Sequence, residues 1–461
     1  MNPRTTELVQ KDLSMIWHPC SQMKDYELLK PIVIDRGEGV RLYDSEGRSY
    51  IDIVSSWWCN LLGHCHPRIN ASIQRQLNQL EHVIFANFTH EPVIRLCEEL
   101  LEIIPSGLTK FNFSDNGSAS VECALKMSFQ YMYQTGRPER TRFMCLEEGY
   151  HGETIGALSV GAMDLYAKIY QPMLMDTIQV EAPDCYRCRY GKTRESCETE
   201  CFAGAEAAFA EHAHETAAII VEPLLQGSAG MRIYPAQFLT KLRALCDRYG
   251  VLLIADEIAT GFGRTWKMFA FDHAGVSPDI LCVSKGLTGG YMPMAITITT
   301  DEIYNAFYAD YNEGKAFMHS HTYSGNPLGC SAALAVQSIF REEPILENAA
   351  RRARFLTELM NDTGVRLQCA LRQGVGPRAH LPRDEVELVE RRRGRQRPPG
   401  ELVRHRGQAV TALTRPVPVP GDVDAAVRRR LRAQVLERGE ILLDGSLLVA
   451  PGALSALGQG Q

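Results

Sequence analysis

The sequence lacks any apolar run long enough to cross a bilayer, and its first ten residues have no apolar core of the kind found in signal peptides. It also contains no P-loop, no Gly-x-Gly-x-x-Gly and no Gly-x-Ser-x-Gly, so common signatures of nucleotide and hydrolase sites are missing. Its 49 basic and 55 acidic residues give a net charge of −6, which argues against nucleic acid and anionic membranes as partners. We expect a cytoplasmic protein whose 14 cysteines are mostly thiols.

A second absence divides the chain. From Arg351 onward there is no Lys, Trp or Tyr, and Phe355 is the only Phe. Residues 390–395 and 414–421 of this stretch are rich in Arg and Pro, respectively. Three interpretations are consistent with this composition: a disordered basic tail, a diverged domain, or a stretch read in the wrong frame. The composition alone does not distinguish them. The atypical region begins at about residue 367.

The preceding part of the chain alternates strand and helix patterns. Between residues 110 and 299, short apolar runs are separated by stretches whose apolar residues lie three and four positions apart, and one of these stretches ends at Gly250 as a helix C-cap. Such alternation predicts an α/β fold with a doubly wound, mostly parallel sheet. The predicted strands are 110–114, 142–146, 217–221, 251–255, 280–283 and 295–299.

Five chemically suggestive residues lie at or shortly after the ends of these predicted strands: Asp115, Tyr150, Glu222, Asp256 and Lys285. In open α/β sheets, ligands bind beyond the carboxyl ends of the strands. We therefore expect a single site that is built from these five side chains.

Lys285 and Asp256 indicate a particular chemistry. A lysine can form a Schiff base, and a buried aspartate can pair a pyridinium nitrogen; together they are the protein's part of pyridoxal-phosphate chemistry. Taken singly, such a lysine is usually a solvated loop charge, and such an aspartate is often a helix N-cap. The pair, with the motifs below, favours the cofactor interpretation.

The segment from Asp115 to Ser118 joins a predicted strand to a helix and suits a phosphate. Gly117 permits a tight turn, and Ser118 leaves a hydroxyl and N–H groups at the helix start, where partial positive charge favours an anion. A plain capped helix is the alternative interpretation. The expected apolar face of this helix consists of Val121, Leu125, Phe129 and Met132.

Aromatic residues supply further candidates. Tyr150 is followed by His151 and flanked by glycines, so it can stack on a flat cofactor ring; an ordinary Gly-rich turn is the alternative. Trp57 and Trp58 are adjacent and therefore point in different directions. One of them is expected to line a cavity or an interface.

Four cysteines at short spacing form a metal-like arrangement: Cys185, Cys188, Cys197 and Cys201. Their spacing of two, eight and three intervening residues can hold a structural zinc ion. An insertion loop with reduced cysteines is the favoured alternative. Redox catalysis is disfavoured, because the Cys-x2-Cys pair does not open a helix.

From about Ile16 to about Gly329, these segments together resemble the class III, fold-type I pyridoxal-phosphate aminotransferases. The motifs that carry the resemblance include Asp115-Asn-Gly-Ser118, Gly149-Tyr-His-Gly152, Asp256-Glu-Ile-Ala-Thr-Gly-Phe-Gly-Arg264, Ser284-Lys-Gly-Leu-Thr-Gly-Gly290 and His321-Thr-Tyr-Ser-Gly-Asn326. Within the class, the Trp57-Trp58 pair and the segment from Lys285 to Gly290 favour the branch that serves biotin biosynthesis. The resemblance then implies 8-amino-7-oxononanoate as the amino acceptor and S-adenosylmethionine as the expected donor, although similar enzymes use lysine.

The resemblance also implies the role of each candidate residue. Lys285 would carry pyridoxal 5'-phosphate and shuttle protons, Asp256 would pair its ring nitrogen, and Tyr150 would stack on the ring. The resemblance further implies cofactor contacts from Gly117, Ser118, Tyr150, His151, Glu222 and Thr322. It implies substrate contacts from Trp57, Trp58, Tyr150, Lys285 and Gly290.

The resemblance implies a homodimer with shared active sites, in which Thr322 of one subunit reaches the phosphate held by its neighbour. The expected domains are an N-terminal segment, 1–59, that joins a smaller α+β domain, a large cofactor-binding domain, 60–345, and a C-terminal small-domain region, 346–461.

Three positions depart from the family pattern. Cys20 stands where the family often has Tyr, Glu153 stands where some members have Asp, and Leu443 stands where a carboxylate-binding arginine is expected. Three alternatives therefore stay open. They are another class III aminotransferase acting on ornithine, 4-aminobutyrate or a diamine, a catalytically impaired homologue, and a zinc-binding interaction module.

Overall fold

A computed structural model describes residues 1–193 and 196–362. The stretch of atypical composition after about residue 367, including Leu443, lies outside the described residues. Residues 1–351 form one compact unit. None of the helices in the described part of the chain has the length and apolar character needed to cross a membrane.

A seven-stranded sheet forms the centre of this unit, with the strand order β4-β12-β11-β10-β7-β5-β6. Only β12 runs antiparallel to its neighbours, β11 and β4. A three-stranded antiparallel sheet precedes the central sheet in the chain, and a two-stranded ribbon follows β7. The strands are β1 (Ile34–Glu38), β2 (Arg41–Asp44), β3 (Ser49–Ile51), β4 (Leu108–Ser114), β5 (Arg142–Leu146), β6 (Thr177–Val180), β7 (Thr216–Val221), β8 (Leu225–Gln226), β9 (Arg232–Ile233), β10 (Leu252–Asp256), β11 (Ile280–Val283) and β12 (Ala295–Thr300).

Helices connect these strands. Most begin at a residue in extended conformation, and several are capped by a side chain, as at Asn2, Asn116 and Asn326. The helices are α1 (Pro3–Met15), α2 (the single turn Ser55–Trp58), α3 (Pro67–Leu77), α4 (Glu91–Leu101), α5 (Gly117–Gln134), α6 (Ile155–Ser159), α7 (Asp164–Ala167), α8 (Ala203–His212), α9 (Ala236–Tyr249), α10 (Asp301–Phe307), α11 (Pro327–Glu342) and α12 (Ile345–Asp362).

The predicted α/β sheet is confirmed. All six predicted strands are present, with ends within two residues of the predicted ones, and the C-cap Gly250 of α9 has the left-handed φ of 64°. The strand β6 at the sheet edge was not predicted. Its four residues alternate between buried and more exposed positions and form a shorter signal than the fully buried runs of β7 or β10.

Helix α5 packs on the sheet, and one residue of its predicted apolar face is placed differently. Val121, Leu125 and Met132 are buried, as predicted, but Phe129 is 44% exposed. At 3.6 residues per turn, Phe129 lies about 80° around the helix from Val121, at the edge of the face that contacts the sheet. The predicted face was therefore correct in its centre and too wide on this side.

Candidate active site

The carboxyl ends of β10 and β11 bring Asp256 and Lys285 together. The two strands are parallel neighbours, with Asp256 aligned with Cys282, and Lys285 begins the short 3-10 turn Lys285–Thr288 just after β11. Lys285 has a φ of 40°, in the left-handed region, so the backbone turns sharply where the strand ends. The sheet therefore supplies the juxtaposition that the sequence predicted.

Lys285 is half-buried at the end of β11. Burial lowers the pKa of its amine, against the opposing influence of the Asp256 and Glu222 carboxylates. The Nζ atom lies 5.2 Å from the centre of the Trp58 ring, within the range of a cation–π contact. A less basic amine is unprotonated for a larger fraction of the time, which suits a nucleophile that forms a Schiff base.

A hydrogen bond from His151 orients the Asp256 carboxylate. Both side chains are buried, and His151 Nδ1–H donates to Asp256 Oδ2 at 2.7 Å. The other carboxylate oxygen accepts from the Ile258 N–H at 3.1 Å. Sequence reasoning placed His151 beside the cofactor without a defined partner, and the structure identifies that partner as Asp256. A fixed, hydrogen-bonded carboxylate is the group that a pyridinium nitrogen requires.

Glu222, whose contacts the sequence could not define, ties two loops of the site together. Its Oε1 accepts from the Tyr150 N–H at 3.0 Å, and its Oε2 accepts from the Gly227 N–H at 2.9 Å. Burial, with a further contribution from Asp256, raises the pKa of Glu222 to about 7. The carboxyl group thus fixes the backbone on which Tyr150 is carried.

The amino end of α5 has the shape and polarity of an anion site. The Asn116 side chain accepts from the Ala119 N–H at 3.0 Å, whereas the N–H groups of Gly117 and Ser118, in the first turn, have no intrahelical partner. Gly152 has a φ of 122°, and a Cβ there would lie only 1.9 Å from Ser118 Oγ. Glycine at 152 is therefore what lets this loop close over the start of the helix.

The two tryptophans diverge, as expected for adjacent residues. Trp58 is partly buried with its ring next to Lys285, whereas Trp57 is 51% exposed. Gly290, with a φ of 85°, lies against the backbone that follows Trp58: a Cβ there would be 3.0 Å from the Cys59 carbonyl carbon. The glycine thus permits the loop after β11 to approach this segment.

Arg264 is a site residue that sequence reasoning treated only as part of a motif. Its Nη2 donates to the Trp58 carbonyl at 2.6 Å, while Arg264 Nε and Trp58 Nε1 are buried without a hydrogen-bond partner among the described residues. Burial lowers the pKa of Arg264 to about 10, so the guanidinium stays charged at neutral pH. No carboxylate in the described ranges forms an ion pair with it. In the sequence, this residue was marked by its positive charge at the end of the motif that begins at Asp256.

Two of the positions that depart from the family pattern meet at one atom. Tyr150 O–H donates to Glu153 Oε1 at 3.1 Å, and the Cys20 thiol donates to the same oxygen at 3.6 Å. Burial and then Glu153 raise the pKa of Tyr150, so its hydroxyl keeps its proton. These three side chains form a polar wall next to the expected ring position.

Thr322 is exposed, and the segment that carries it is fastened to the end of β4. His321 Nδ1–H donates to Asp115 Oδ2 at 2.9 Å, and Ser324 Oγ–H donates to the Phe113 carbonyl at 3.0 Å. The segment therefore lies close to the start of α5 in its own chain, with the Thr322 side chain facing outward.

The four cysteines lie apart from this site and line one small cavity together with Tyr190 and Pro235. Within residues 1–193 and 196–362, no three His, Cys, Asp or Glu side chains are placed to hold a metal ion, and zinc binding by these four cysteines stays a hypothesis. Nearby carboxylates already have partners, since Glu200 pairs with Lys192 and Glu181 accepts from Tyr190. Burial raises the pKa of Cys201 to about 11, which favours the neutral thiol.

The residues around Lys285 fit pyridoxal phosphate in three respects. They supply an amine with a lowered pKa near a hydrogen-bonded carboxylate, a helix start approached closely by Gly152, and Trp58 with a buried indole N–H that has no partner among the described residues. The amine, the carboxylate and the helix start match the reactive carbonyl, ring nitrogen and phosphate of that molecule.

Comparisons with known proteins agree with this geometry. Residues 22–368 match the family described as aminotransferase class III. The adenosylmethionine-8-amino-7-oxononanoate aminotransferase of Geobacter sulfurreducens is 45% identical over 355 residues, which cover 77% of this chain and 78% of the relative.

Two solved structures are also similar. The enzyme of the same name from Methanocaldococcus jannaschii has a TM-score of 0.72 at 40% identity and covers 78% of this chain and 81% of its own. The ω-transaminase from Pseudomonas jessenii in complex with PMP has a TM-score of 0.73 at 30% identity, covering 77% and 80%. Every candidate cofactor residue described above lies within the matched family region.

Proposed function

This chain belongs to the class III aminotransferases, and we propose that it transfers an amino group from S-adenosylmethionine to 8-amino-7-oxononanoate in biotin biosynthesis. Relatives that are 41–46% identical over most of this chain carry the name of that reaction. The observation that carries the proposal is the pairing of Lys285 and Asp256 at adjacent strand ends, with the Trp58 ring next to the lysine.

Members of this class use pyridoxal 5'-phosphate, whose ring stores the electron pair released when a substrate C–H bond loses its proton. Lys285 would hold this cofactor covalently and, once displaced by substrate, use its Nζ to carry the proton. Its lowered pKa supports both tasks. Asp256, oriented by His151, would keep a proton on the ring nitrogen. The Gly117 and Ser118 N–H groups would bind the phosphate.

Arg264 and the wall formed by Tyr150, Glu153 and Cys20 would select the substrate. A charged guanidinium whose Nε is buried without a hydrogen-bond partner is costly, and a substrate carboxylate would remove that cost. The Glu153 carboxylate carries a charge opposite to that of Arg264, so it would suit an ammonium or sulfonium group of the substrate. Trp58 would supply an apolar face between the two.

A homodimer is part of the proposal. Thr322 is exposed, and His321 and Ser324 fasten its segment close to the start of α5. In a dimer with two-fold symmetry, this segment would face the corresponding helix start of the other subunit, and each Thr322 would complete the neighbour's phosphate site.

A donor screen tests the proposed reaction. The purified protein is loaded with pyridoxal phosphate and mixed with S-adenosylmethionine, lysine, ornithine, 4-aminobutyrate or a diamine, and the loss of its yellow absorbance, near about 420 nm, is followed. We expect loss with S-adenosylmethionine and then formation of 7,8-diaminononanoate when the acceptor is added. Loss with ornithine, 4-aminobutyrate or a diamine alone would move the assignment to another branch of the class. No response to any donor would indicate an impaired homologue.

A further inference from the structure

The turn that carries Trp57 and Trp58 has an unusual backbone. Four consecutive residues other than glycine have φ angles in the left-handed region: Ser55 (52°), Ser56 (47°), Trp57 (64°) and Trp58 (65°). Residues of this kind adopt such angles at an energetic cost, because Cβ approaches the following carbonyl oxygen. A run of four therefore persists only where the surroundings hold it in place.

Asp52 holds the beginning of this turn. Its Oδ1 accepts from the Ser56 N–H at 3.1 Å, and its Oδ2 accepts from the Ser56 hydroxyl at 2.7 Å. The side chain is nearly buried, and it accepts a third hydrogen bond from His64 Nε2–H at 2.9 Å. Although burial acts in the opposite direction, the bonds from Ser56 and His64 lower the pKa of Asp52. The carboxylate is thus charged and fully engaged at neutral pH.

His64 is itself held firmly. Its backbone exchanges two hydrogen bonds with Gly39, at 3.0 and 2.7 Å. Its side chain lies so close to Gly37 that a Cβ at that position would be 2.8 Å from the His64 Cβ. A rigid chain of contacts therefore runs from the N-terminal sheet through His64 and Asp52 to Ser56.

The end of the turn is held from the other side. Arg264 donates to the Trp58 carbonyl at 2.6 Å, and a Cβ at Gly227 would lie 3.4 Å from the Trp58 ring. Between the two attachments, the indole lies next to Lys285, whose Nζ is 5.2 Å from the centre of the ring. The left-handed conformation of the turn and the position of the ring are consequently linked.

We propose that Asp52 is a positioning residue of the amino-transfer site: through Ser56 it holds the turn Ser55–Trp58 in its left-handed conformation and thereby fixes the Trp58 indole over Lys285. The assignment rests on the proposed function in that Trp58 is taken to contact the substrate. Asp52 itself contacts no reacting atom. Without its carboxylate, the turn relaxes towards ordinary backbone angles and the indole leaves the lysine.

Two readouts separate this role from a general contribution to stability. The first is the KM of the holoenzyme for the acceptor, compared with its kcat. The second is acrylamide quenching of Trp58 fluorescence, measured with Trp17, Trp57 and Trp266 replaced by Phe so that Trp58 is the only emitter; it needs no turnover.

Asp52→Ala is compared with Asp44→Ala as a matched control. Asp44 is another buried carboxylate of the N-terminal region, bonded to Arg48 at 2.7 Å and to Tyr50 at 2.8 Å, and its contacts are with Arg48, Tyr50 and Glu46 rather than with the tryptophan turn. We expect Asp52→Ala to raise KM at least about tenfold with a smaller change in kcat, and to increase Trp58 quenching. Asp44→Ala should lower the Tm and leave both readouts unchanged.

Ser56→Gly supplies the decisive rescue. Glycine adopts left-handed angles without strain, so the double variant Asp52→Ala/Ser56→Gly should recover a substantial part of the lost KM and of the protection from quenching. If Asp52→Ala does not fold, Asp52→Asn is used, and we expect changes in the same direction but smaller.

The proposal is overturned if the Asp52 variant changes only the Tm, as the Asp44 variant does, or if Ser56→Gly restores neither readout. A parent enzyme that fails to use the acceptor would overturn the proposed function instead, and the quenching series would still decide the role of Asp52.

Discussion

Two opposing influences act on the pKa of Lys285, the lysine that is proposed to hold the cofactor. Burial disfavours its charged form, while Asp256 and Glu222 favour it, and burial prevails. The surrounding carboxylates are themselves constrained, Asp256 by His151 and Glu222 by two backbone N–H groups. The amine with its lowered pKa therefore has carboxylates near it, and charge complementarity is retained around it.

Replacing Lys285 by Ala removes the only amine next to Asp256 in the described ranges. We expect the protein to remain folded, since the change shortens a side chain at the end of a strand, but to lose the covalent cofactor link that borohydride reduction traps. Mass spectrometry of the reduced protein is the measurement. A reduced adduct on a different lysine of the variant would show that the assignment is wrong.

Asp256→Asn keeps the shape of the side chain and removes its charge. The ring nitrogen would then lose its proton partner, and we expect the rate of the donor half-reaction to fall at least about 10²-fold. Glu257→Gln is the matched control: Glu257 is also buried, but it accepts from Phe271 N–H at 2.8 Å and Thr260 O–H at 2.6 Å instead. Single-turnover kinetics of folded protein should show no comparable loss for the control, and near-parental rates for Asp256→Asn would contradict the assigned role.

At the scale of elements, the segment that carries Thr322 is joined to α5 by a directed chain of hydrogen bonds. Lys126 Nζ donates to His319 Nδ1 at 2.9 Å, and His319 and His321 share a bond at 3.2 Å. His321 in turn donates to Asp115 at 2.9 Å. This arrangement requires neutral histidines, since a proton on His319 Nδ1 would face the Lys126 ammonium group.

The series of hydrogen bonds from Lys126 to Asp115 predicts that the protein is destabilised in mild acid. Burial first, and then Lys126 and His321, lower the pKa of His319 from its ordinary value of 6.5. The unfolded chain therefore binds a proton that the folded protein excludes, so this contribution to stability is present above about pH 6.5 and is lost as the pH falls below it. The Tm of the parent should fall more steeply from about pH 7.5 to about pH 5.5 than that of His319→Gln. Equal slopes would show that His319 does not titrate with unfolding.

The comparison of expected and observed elements shows what local patterns can reveal. Buried strands are continuous apolar runs, so β7, β10 and β11 were predictable. The carboxyl ends of parallel strands lie at the same edge of a sheet. The predicted strands therefore placed Lys285 and Asp256 at one edge of the central sheet. Polar positions at these ends therefore led to the candidate residues before any contact was known.

Long-range pairings were beyond the sequence. The bond between His151 and Asp256 joins positions 105 residues apart, and that between Arg264 and Trp58 joins positions 206 apart. The left-handed turn at Ser55–Trp58 was also not predicted, since none of its residues is glycine and its angles are held by Asp52 and Arg264 rather than by local preference.

For the whole molecule, the end of the family resemblance coincides with the change in composition. The family match stops at residue 368, and Lys, Trp and Tyr are absent from residue 351 onward. The relative from Geobacter sulfurreducens is matched over 78% of its length, so its remaining part has no aligned counterpart in this chain. The cofactor candidates all precede this point, whereas Leu443, where the resemblance implies a carboxylate-binding arginine, follows it.

Cofactor binding and acceptor binding should therefore respond differently when the C-terminal region is exchanged. Replacing the residues after 368 with the C-terminal part of the Geobacter sulfurreducens relative is expected to supply the carboxylate-binding arginine that the family resemblance implies. The acceptor carboxylate would then pair with that arginine in addition to Arg264, so acceptor binding should strengthen by about 2–5 kcal/mol, while cofactor occupancy changes less. Isothermal titration with the acceptor, together with cofactor absorbance of the same samples, separates the two effects. If both chains bind the acceptor equally well, an arginine already present satisfies the carboxylate. Arg264 is then the residue to replace, since its Nε is buried without a hydrogen-bond partner and its guanidinium has no carboxylate partner among residues 1–193 and 196–362.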